Sequence, residues 1–501
     1  MTEPEHNRSI LRNIIYGFST WIFPLFLGLI VTRVVVRALG HVDYGIYALV
    51  LGFIAYSFNF SIGRAITKYL ATYRASGEVE KIRSVISATA FITLIVAIVG
   101  FGTIFAVSNW LVVSVFEIEP AAQAKAVTAL QISAATIFLL MLTQIATAVL
   151  QGLHRFDVFS KIQNANSMFM MLGNLWLAYN GHGLVALLYW NLAAAALTCL
   201  FAFLSAKRLL PELSFGLNFD RGVVKTIVRY SSGVVGYQIA ANLFFLFERS
   251  WIIAKLGAES LTFYVIPMTV GIYLHGFVAS LSMVLFPLAS ELDRDSERLL
   301  RLYRAATKSI LFIVVIISTT LIVEGRLFLT LWMGPEFGDR STELLTLHAI
   351  AFGMAAISIV SFQTAEGLGK PGFNFRNTLL GGLLALPVIF LLTEAIGSLS
   401  VAFGRLIYFG ITFVAIFDLE RRWLGGVQNE FWSGNLLRFG AAAISAAVVE
   451  MVVLFGMQPG WVAFLLATFC GGTVYTIMLW LTGIASDEDR RLIERLVRRE
   501  V

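Results

Sequence analysis

A series of apolar segments, each long enough to cross a lipid bilayer, runs through this chain almost from end to end. The hydrocarbon core offers no water to backbone N–H and C=O groups, so only helices or closed barrels span it, and a helix needs about 20 apolar residues. With fourteen such segments, the sequence predicts an all-α integral membrane protein. They lie approximately at Ile10–Val36, Tyr44–Ala65, Val85–Asn109, Ala126–Leu150, Ile162–Tyr179, Leu184–Ala206, Tyr230–Leu256, Leu261–Ala289, Ser309–Met333, Leu344–Ala365, Phe375–Thr393, Leu399–Phe417, Leu436–Phe455 and Trp461–Thr482.

The composition argues against a soluble enzyme and against a nucleic-acid-binding protein. Residues are 58% hydrophobic and 14% charged, whereas soluble domains average about 45–50% and about 25%. The net charge of +6 is spread among connections, and no basic run interleaves with aromatic residues. Cys199 and Cys470 lie far apart in apolar segments, which is typical of buried small side chains. We therefore expect no catalytic residue, no metal site, no cofactor and no nucleic-acid partner.

The distribution of basic residues predicts the orientation. Most of the 37 lysines and arginines fall in the termini and in the connections on the same side as the termini. The opposite connections hold five: Arg37, Lys125, Lys255, Arg326 and Arg340. Because basic connections stay in the cytoplasm, we expect a multi-pass protein of the bacterial inner membrane with both termini cytoplasmic.

Two short sequence motifs each occur twice, and these internal echoes predict a duplicated architecture. Leu39 and Gly40 recur as Leu256 and Gly257, 217 residues later. The motif 151–155 recurs at 366–370, 215 residues later. Since each half would contain an even number of helices, the halves keep one orientation, as in transporters that rock two bundles around a cavity.

We therefore predict five regions along the chain. Residues 1–206 and 230–418 form the two six-helix parallel repeats, joined by a cytoplasmic amphipathic linker, 207–229, and residues 436–482 form two appended helices. Residues 483–501 form a cytoplasmic amphipathic tail that opens with a helix N-cap pattern at Ser486. Residues 294–308 are a further expected surface helix.

Several short motifs resemble those of the polysaccharide or O-antigen flippases of the multidrug/oligosaccharidyl-lipid/polysaccharide (MOP) exporter superfamily. These motifs lie at 39–47, 59–63, 68–71, 248–249, 331–335 and 367–371. The chain departs from the family pattern at Asn59 and Ser61, where Asp and Gly are common, and at Glu248, where Asp is common.

The resemblance implies a MATE-like, V-shaped, alternating-access fold and a specific cargo. That cargo would be an undecaprenyl-pyrophosphate-linked oligosaccharide, carried from the inner to the outer leaflet for polysaccharide biosynthesis. Membrane lipids, and a polysaccharide polymerase with its chain-length regulator, are the implied partners. Transport is expected to be coupled to an ion, H+ or Na+, with substrate supply alone as the open alternative.

Such a cargo needs cations for its phosphates and polar groups for its sugars. Guanidinium groups match phosphate oxygens well, and we favour Arg33 and Arg249, which fall at nearly equivalent places in the two halves. Arg64 and Arg405 are the other arginines inside spans, and Asn59 and Asn242 are candidate sugar contacts. The alternative for Arg249 is an ion pair with Glu248, or with another helix, that only stabilises the fold.

A coupling ion needs a titratable group inside the membrane. Glu248 is the first candidate, because a buried carboxyl beside an arginine responds to which face of the protein is open. Glu450 and His275 are the others, although a lone intramembrane histidine is more often a satisfied hydrogen-bonding residue.

Two other functions remain open from the sequence. A MATE-type drug/cation antiporter would share the fold, but its cationic cargo would favour acids over the arginines found here. A membrane glycosyltransferase or polysaccharide polymerase would give Asp293 and Asp295 a metal-binding role, but these acids lie in a short basic connection.

Overall fold

The computed structural model describes residues 3–57, 63–75, 78–211, 221–282, 285–292 and 295–483, and helices dominate these ranges. A short π-helical turn, Leu111–Val115, follows the third helix. The α-helices are α1 (Glu3–Tyr56), α2 (Gly63–Ala75), α3 (Val79–Trp110), α4 (Pro120–Gly152), α5 (Phe156–Tyr179), α6 (Leu184–Leu209), α7 (Arg221–Leu281), α8 (Leu285–Glu291), α9 (Ser296–Val323), α10 (Gly325–Met333), α11 (Pro335–Gly367), α12 (Pro371–Ile396), α13 (Leu399–Trp423), α14 (Asn429–Gly456) and α15 (Trp461–Leu481).

The helices confirm the prediction of fourteen transmembrane helices in an all-α protein. Within the described ranges, eleven stretches are long and apolar enough to cross a membrane. Two of them, in α1 and α7, contain a break that divides each into two crossings. The remaining crossing is α5, which is 24 residues long but carries Gln163, Asn164 and Asn166 and is therefore less apolar.

Both breaks are at glycines, and both glycines belong to the sequence echo. Gly40 has φ 75° and ψ 170°, and Gly257 has φ 83° and ψ 167°. Residues with a side chain are strained at such φ values, whereas glycine is not. The offset of 217 residues therefore marks equivalent backbone conformations in the two halves.

Packing divides the chain into two compact units. The first comprises Met1–Val265 with Pro371–Val401, and the second comprises Ile266–Lys370 with Ala402–Val501. The boundaries predicted from the repeat stay a prediction. Residues 212–220 of the expected linker and 484–501 of the expected tail lie outside the described residues, while α9 begins at Ser296 and continues without interruption into its span.

Small residues hold the first unit together around α4. Ala146 and Ala148 of α4 and Ala202 and Ala206 of α6 are all buried in one apolar cluster with Ile66 of α2. In a membrane, small residues permit close helix approach, and dispersion forces then drive association.

A buried polar triad joins three spans of the same unit. Asn174 of α5 donates to the Oδ1 of Asn191 in α6 (2.9 Å), and the Asn191 amide donates to the Tyr47 hydroxyl of α1 (3.1 Å). These amides therefore pair with other helices.

In the second unit, the carboxylate of Glu420 gathers three donors. Its Oε1 accepts from the Tyr303 hydroxyl (3.1 Å) and the Trp432 indole N–H (2.8 Å), and its Oε2 accepts from the Gln428 backbone N–H (2.9 Å). The Glu420 side chain is fully buried. One carboxylate thus ties α9 and the start of α14 to α13.

Removing this carboxylate should destabilise the second unit. In Glu420→Ala the three donors lose their acceptor, and since each unsatisfied buried polar group costs about 1–3 kcal/mol, we expect a loss of at least about 3 kcal/mol. Thermal unfolding in detergent measures the change. Glu430→Ala, at an exposed position at the start of α14, is the control, and equal unfolding temperatures for the two variants would contradict the assignment.

Candidate substrate-binding site

The charged pair inside α7 is buried in the first unit. Glu248 is fully buried and Arg249 is 6% exposed. A charge at such a depth costs several kcal/mol unless it is paired, and it is therefore a candidate functional group by default.

The side chain of Arg249 lies along one face of α1. Its Nη1 donates to the backbone carbonyl of Ala48 at 2.6 Å, and its guanidinium carbon lies 5.5 Å from the centre of the Tyr56 ring. Between these two lies Gly52, where a Cβ atom would come within 2.6 Å of the arginine Cδ and 2.9 Å of Nη1. Ala48, Gly52 and Tyr56 are four residues apart, so they share one helix face. Because Gly52 has no side chain, it leaves a groove on α1 in which the Arg249 side chain lies.

Part of the hydrogen-bonding capacity of this arginine is unused. A guanidinium carries five N–H donors, yet among the described residues the buried Nε has no hydrogen-bond partner. The phenol of Tyr264, also fully buried, interacts electrostatically with Arg249. The guanidinium therefore keeps one N–H donor for a further acceptor, and anionic oxygens are the acceptors that guanidinium groups bind best.

Aromatic side chains line the neighbouring part of α7. Trp251 donates its indole N–H to Thr393 Oγ1 of α12 at 2.9 Å. Its ring stacks on Phe247 (5.7 Å between centres) and meets Phe390 edge-on (4.7 Å). Lys255 is placed over the same indole at 5.7 Å. Aromatic faces of this kind bind apolar faces of ligands while their polar edges remain bonded.

The structure places the other predicted residues of this unit differently. Asn242 is half-buried in α7, about two turns before Arg249 and on a similar face. Arg33 is half-buried in α1, within the same unit. Arg64 lies in α2, with its side chain outside the described residues, and Asn59 also lies outside them.

The second unit contains the remaining predicted residues in two groups. Arg405 of α13 is 1% exposed and lies 5.1 Å from the ring centre of Phe352 in α11. His275 meets the same ring edge-on at 6.5 Å. Glu450 of α14 instead accepts a hydrogen bond from Thr320 of α9 at 2.9 Å.

Sequence reasoning missed the partners of these charges. Ala48, Gly52 and Tyr56 lie in the predicted second span, and their spacing of four was the available signal for a helix face. Glu324 lies within the predicted span Ser309–Met333, is 1% exposed, and was not chosen as a candidate. An acid within a span was in itself sufficient reason to choose it.

A family model and a curated relative both match this chain. The family is described as polysaccharide biosynthesis protein, and its model matches residues 34–341. A putative O-antigen transporter from Shigella flexneri is 22% identical over 375 residues, which cover 72% of this chain and 86% of that protein.

Solved structures share the fold. An inward closed conformation of the lipid II flippase MurJ aligns with a TM-score of 0.72 at 15% identity, covering 95% of this chain and 99% of that one. An inward-facing multidrug resistance MATE family transporter of the MOP superfamily aligns with a TM-score of 0.63 at 16% identity, covering 82% and 94%. At these identities the likeness concerns the fold.

The matched family covers more than half of the chain, and the fourteen helices and the structural neighbours agree with it. The chain thus belongs to the polysaccharide biosynthesis protein family and is a multi-pass membrane protein that shares its fold with MurJ and with MATE transporters.

Proposed function

We propose that this protein carries an undecaprenyl-pyrophosphate-linked oligosaccharide from the inner to the outer leaflet of the bacterial inner membrane. The names of its relatives, an O-antigen transporter and a lipid II flippase, support a lipid-linked glycan as cargo. The observation that carries the proposal is the buried guanidinium of Arg249, held in place by α1 with Nε unused.

The cargo has three chemically distinct parts, and only its headgroup requires a path through the protein. The lipid tail can stay in the bilayer, the pyrophosphate is anionic, and the glycan is polar. In this proposal Arg249 meets a phosphate oxygen, while Asn242, on a similar face of α7, lies towards the sugars. Arg33 and Arg64 extend the basic path in the same unit, and Arg405 lies in the other unit.

Binding at Arg249 would be linked to movement of α1. The guanidinium donates one bond to the uncharged carbonyl of Ala48, whereas a phosphate carries the opposite charge and can accept two parallel bonds from an arginine. A phosphate that engages Arg249 therefore competes with the contact that fixes α7 to α1. Cargo arrival would loosen these helices.

A second contact within the first unit links the chain segments that follow the two glycine breaks. The chain after Gly40 packs against the chain after Gly257: Gly45 lies directly against the carbonyl of Ala258, and Thr262 donates to the His41 carbonyl at 2.5 Å. With both termini cytoplasmic, as the positive-inside rule indicates, this contact lies on the outer side. Alternating access then requires it to open.

Coupling and assembly complete the proposal. Glu248, adjacent to Arg249, is the proposed coupling acid for H+ or Na+, and a polymerase with its chain-length regulator would receive the glycan on the outer side. A Glu248→Gln variant with unchanged ion dependence of transport would remove this acid from that role.

The proposal is tested by flipping in liposomes. Fluorescent undecaprenyl-pyrophosphate oligosaccharide is placed in both leaflets, and the rate at which label becomes accessible from the opposite side is measured. We expect Arg249→Ala to slow the rate by at least about tenfold, equivalent to roughly 1.4 kcal/mol, and Arg249→Lys to recover only part of it, because lysine lacks the planar fork.

Arg326→Ala is the matched control, since Arg326 is exposed and pairs with Asp339. A normal rate in Arg249→Ala would remove this residue from cargo binding. No acceleration by the wild-type protein, together with efflux of organic cations from the same vesicles, would support the drug/cation antiporter instead.

Gly52 provides an independent test of the groove on α1 that holds Arg249. In Gly52→Ala the new Cβ would lie 2.6 Å from Arg249 Cδ, and overpacking of this kind costs about 1–3 kcal/mol. We expect a displaced arginine and slower flipping at normal expression. Gly102→Ala in α3, where a Cβ would meet nothing within 4 Å, should flip the cargo at the wild-type rate. Equal rates for the two alanine variants would contradict a role of the Gly52 groove in positioning Arg249.

A further inference from the structure

Two buried acids meet in the second unit, where α9, α14 and α15 pack together. Glu324 follows the last residue of α9, and Glu450 lies six residues before the end of α14. Their exposed fractions are 1% and 0%, and both approach the same turn of α15, since Glu324 accepts from Thr468 and a Cβ on Gly471 would touch Glu450. Neither the proposed cargo site nor the sequence echo includes this pair.

Hydroxyl groups from two helices face the acids. Thr320, one turn before Glu324 in α9, donates to Glu450 Oε1 at 2.9 Å. Thr468 of α15 lies 3.2 Å from both carboxyl oxygens of Glu324. The cluster is therefore cross-connected, because the donor to each acid comes from a different helix than the acid itself.

One oxygen of this cluster is left over. Glu450 Oε2 is buried and has no hydrogen-bond partner among the described residues. The backbone of α15 comes very close to the same carboxyl group, since a Cβ on Gly471 would lie 2.5 Å from Oε1. An orphan carboxylate oxygen inside a membrane protein costs several kcal/mol unless a proton or cation satisfies it.

The helices around the pair supply no obvious counter-charge. Arg326, at the start of α10, pairs with Asp339 of α11. Arg438 of α14 is about three turns from Glu450, and α15 contains no charged residue. The other titratable groups on these helices are Glu297, Arg298, Arg301, Tyr303, Arg304 and Lys308 on the first half of α9, Glu336, Arg340, Glu343, His348 and Glu366 on α11, Glu430 on α14, and Cys470 and Tyr475 on α15.

We propose that Glu324 and Glu450 form a proton-binding site in which the two carboxyl groups hold one proton between them. Two like charges in a low-dielectric site cannot both remain ionised without a cation. A shared proton removes one charge and gives the orphan Oε2 a hydrogen-bond role. It also keeps the α14–α15 pair packed on α9.

Infrared difference spectra between H2O and D2O, recorded on the protein in lipid nanodiscs, test the site directly. At about pH 7 exposed carboxyl groups are ionised, so we expect one carboxylic acid C=O band that shifts in D2O. Glu324→Gln and Glu450→Gln should each shift its frequency, because the remaining buried acid keeps a proton but loses its acidic partner, and the variant with both substitutions should abolish it. The control Glu343→Gln, at an exposed position of α11, and His348→Gln should both retain it.

A milder variant keeps the test valid if either glutamine variant fails to fold. Thr320→Val removes only the hydroxyl that donates to Glu450, and it should shift the frequency of the band without abolishing it. Absence of the band from the wild-type protein, an unchanged band in both single glutamine variants, or its survival in the double variant would overturn the proposal. Loss of the band on addition of Na+, together with a higher unfolding temperature, would also overturn it, because a sodium ion and not a proton would then occupy the site. None of these readouts depends on the cargo.

Discussion

The requirement that every polar group find a partner away from water governs this structure more than any single contact. The bilayer forces the backbone into helices, so departures from helical geometry occur where they cost least. The breaks at Gly40 and Gly257 share one backbone conformation that only glycine adopts easily. The duplicated architecture is thus visible at Gly40 and Gly257, the two positions at which α1 and α7 depart from helical geometry.

The same requirement separates three kinds of buried charge. Both oxygens of Glu420 accept hydrogen bonds, three in all, which is the pattern of a structural group. Arg249 is anchored by one strong bond but keeps a donor, and Glu450 keeps an acceptor. Leaving such capacity unused in an apolar medium is costly. Unused capacity therefore distinguishes binding groups from structural ones better than burial alone, since all three side chains are buried.

The sequence predicts the elements of the fold but few contacts of the candidate sites. Segment length and hydropathy suffice for fourteen helices, and a glycine echo suffices for the repeat. Arg249 and Glu450 could be chosen because a charge in a span is costly. Their partners could not, because Gly52 matters through a distance of 2.6 Å to another helix and Glu324 through a neighbour more than a hundred residues away. Spacing along one helix does not determine which helix lies opposite.

The charge of the proposed cargo bears on what the acid pair can do. With the cytoplasm negative, moving an anionic headgroup outwards is favoured by about 2.3 kcal/mol per charge for each 100 mV. Electrically, such a cargo needs no accompanying cation to leave the cell. A proton held between Glu324 and Glu450 is then not required as a counter-charge for the cargo, and its direct effect is on packing. Its loss would place two negative charges between α9 and the α14–α15 pair, so the site would bias the conformation of those helices whether or not the proton is exchanged in each transport cycle.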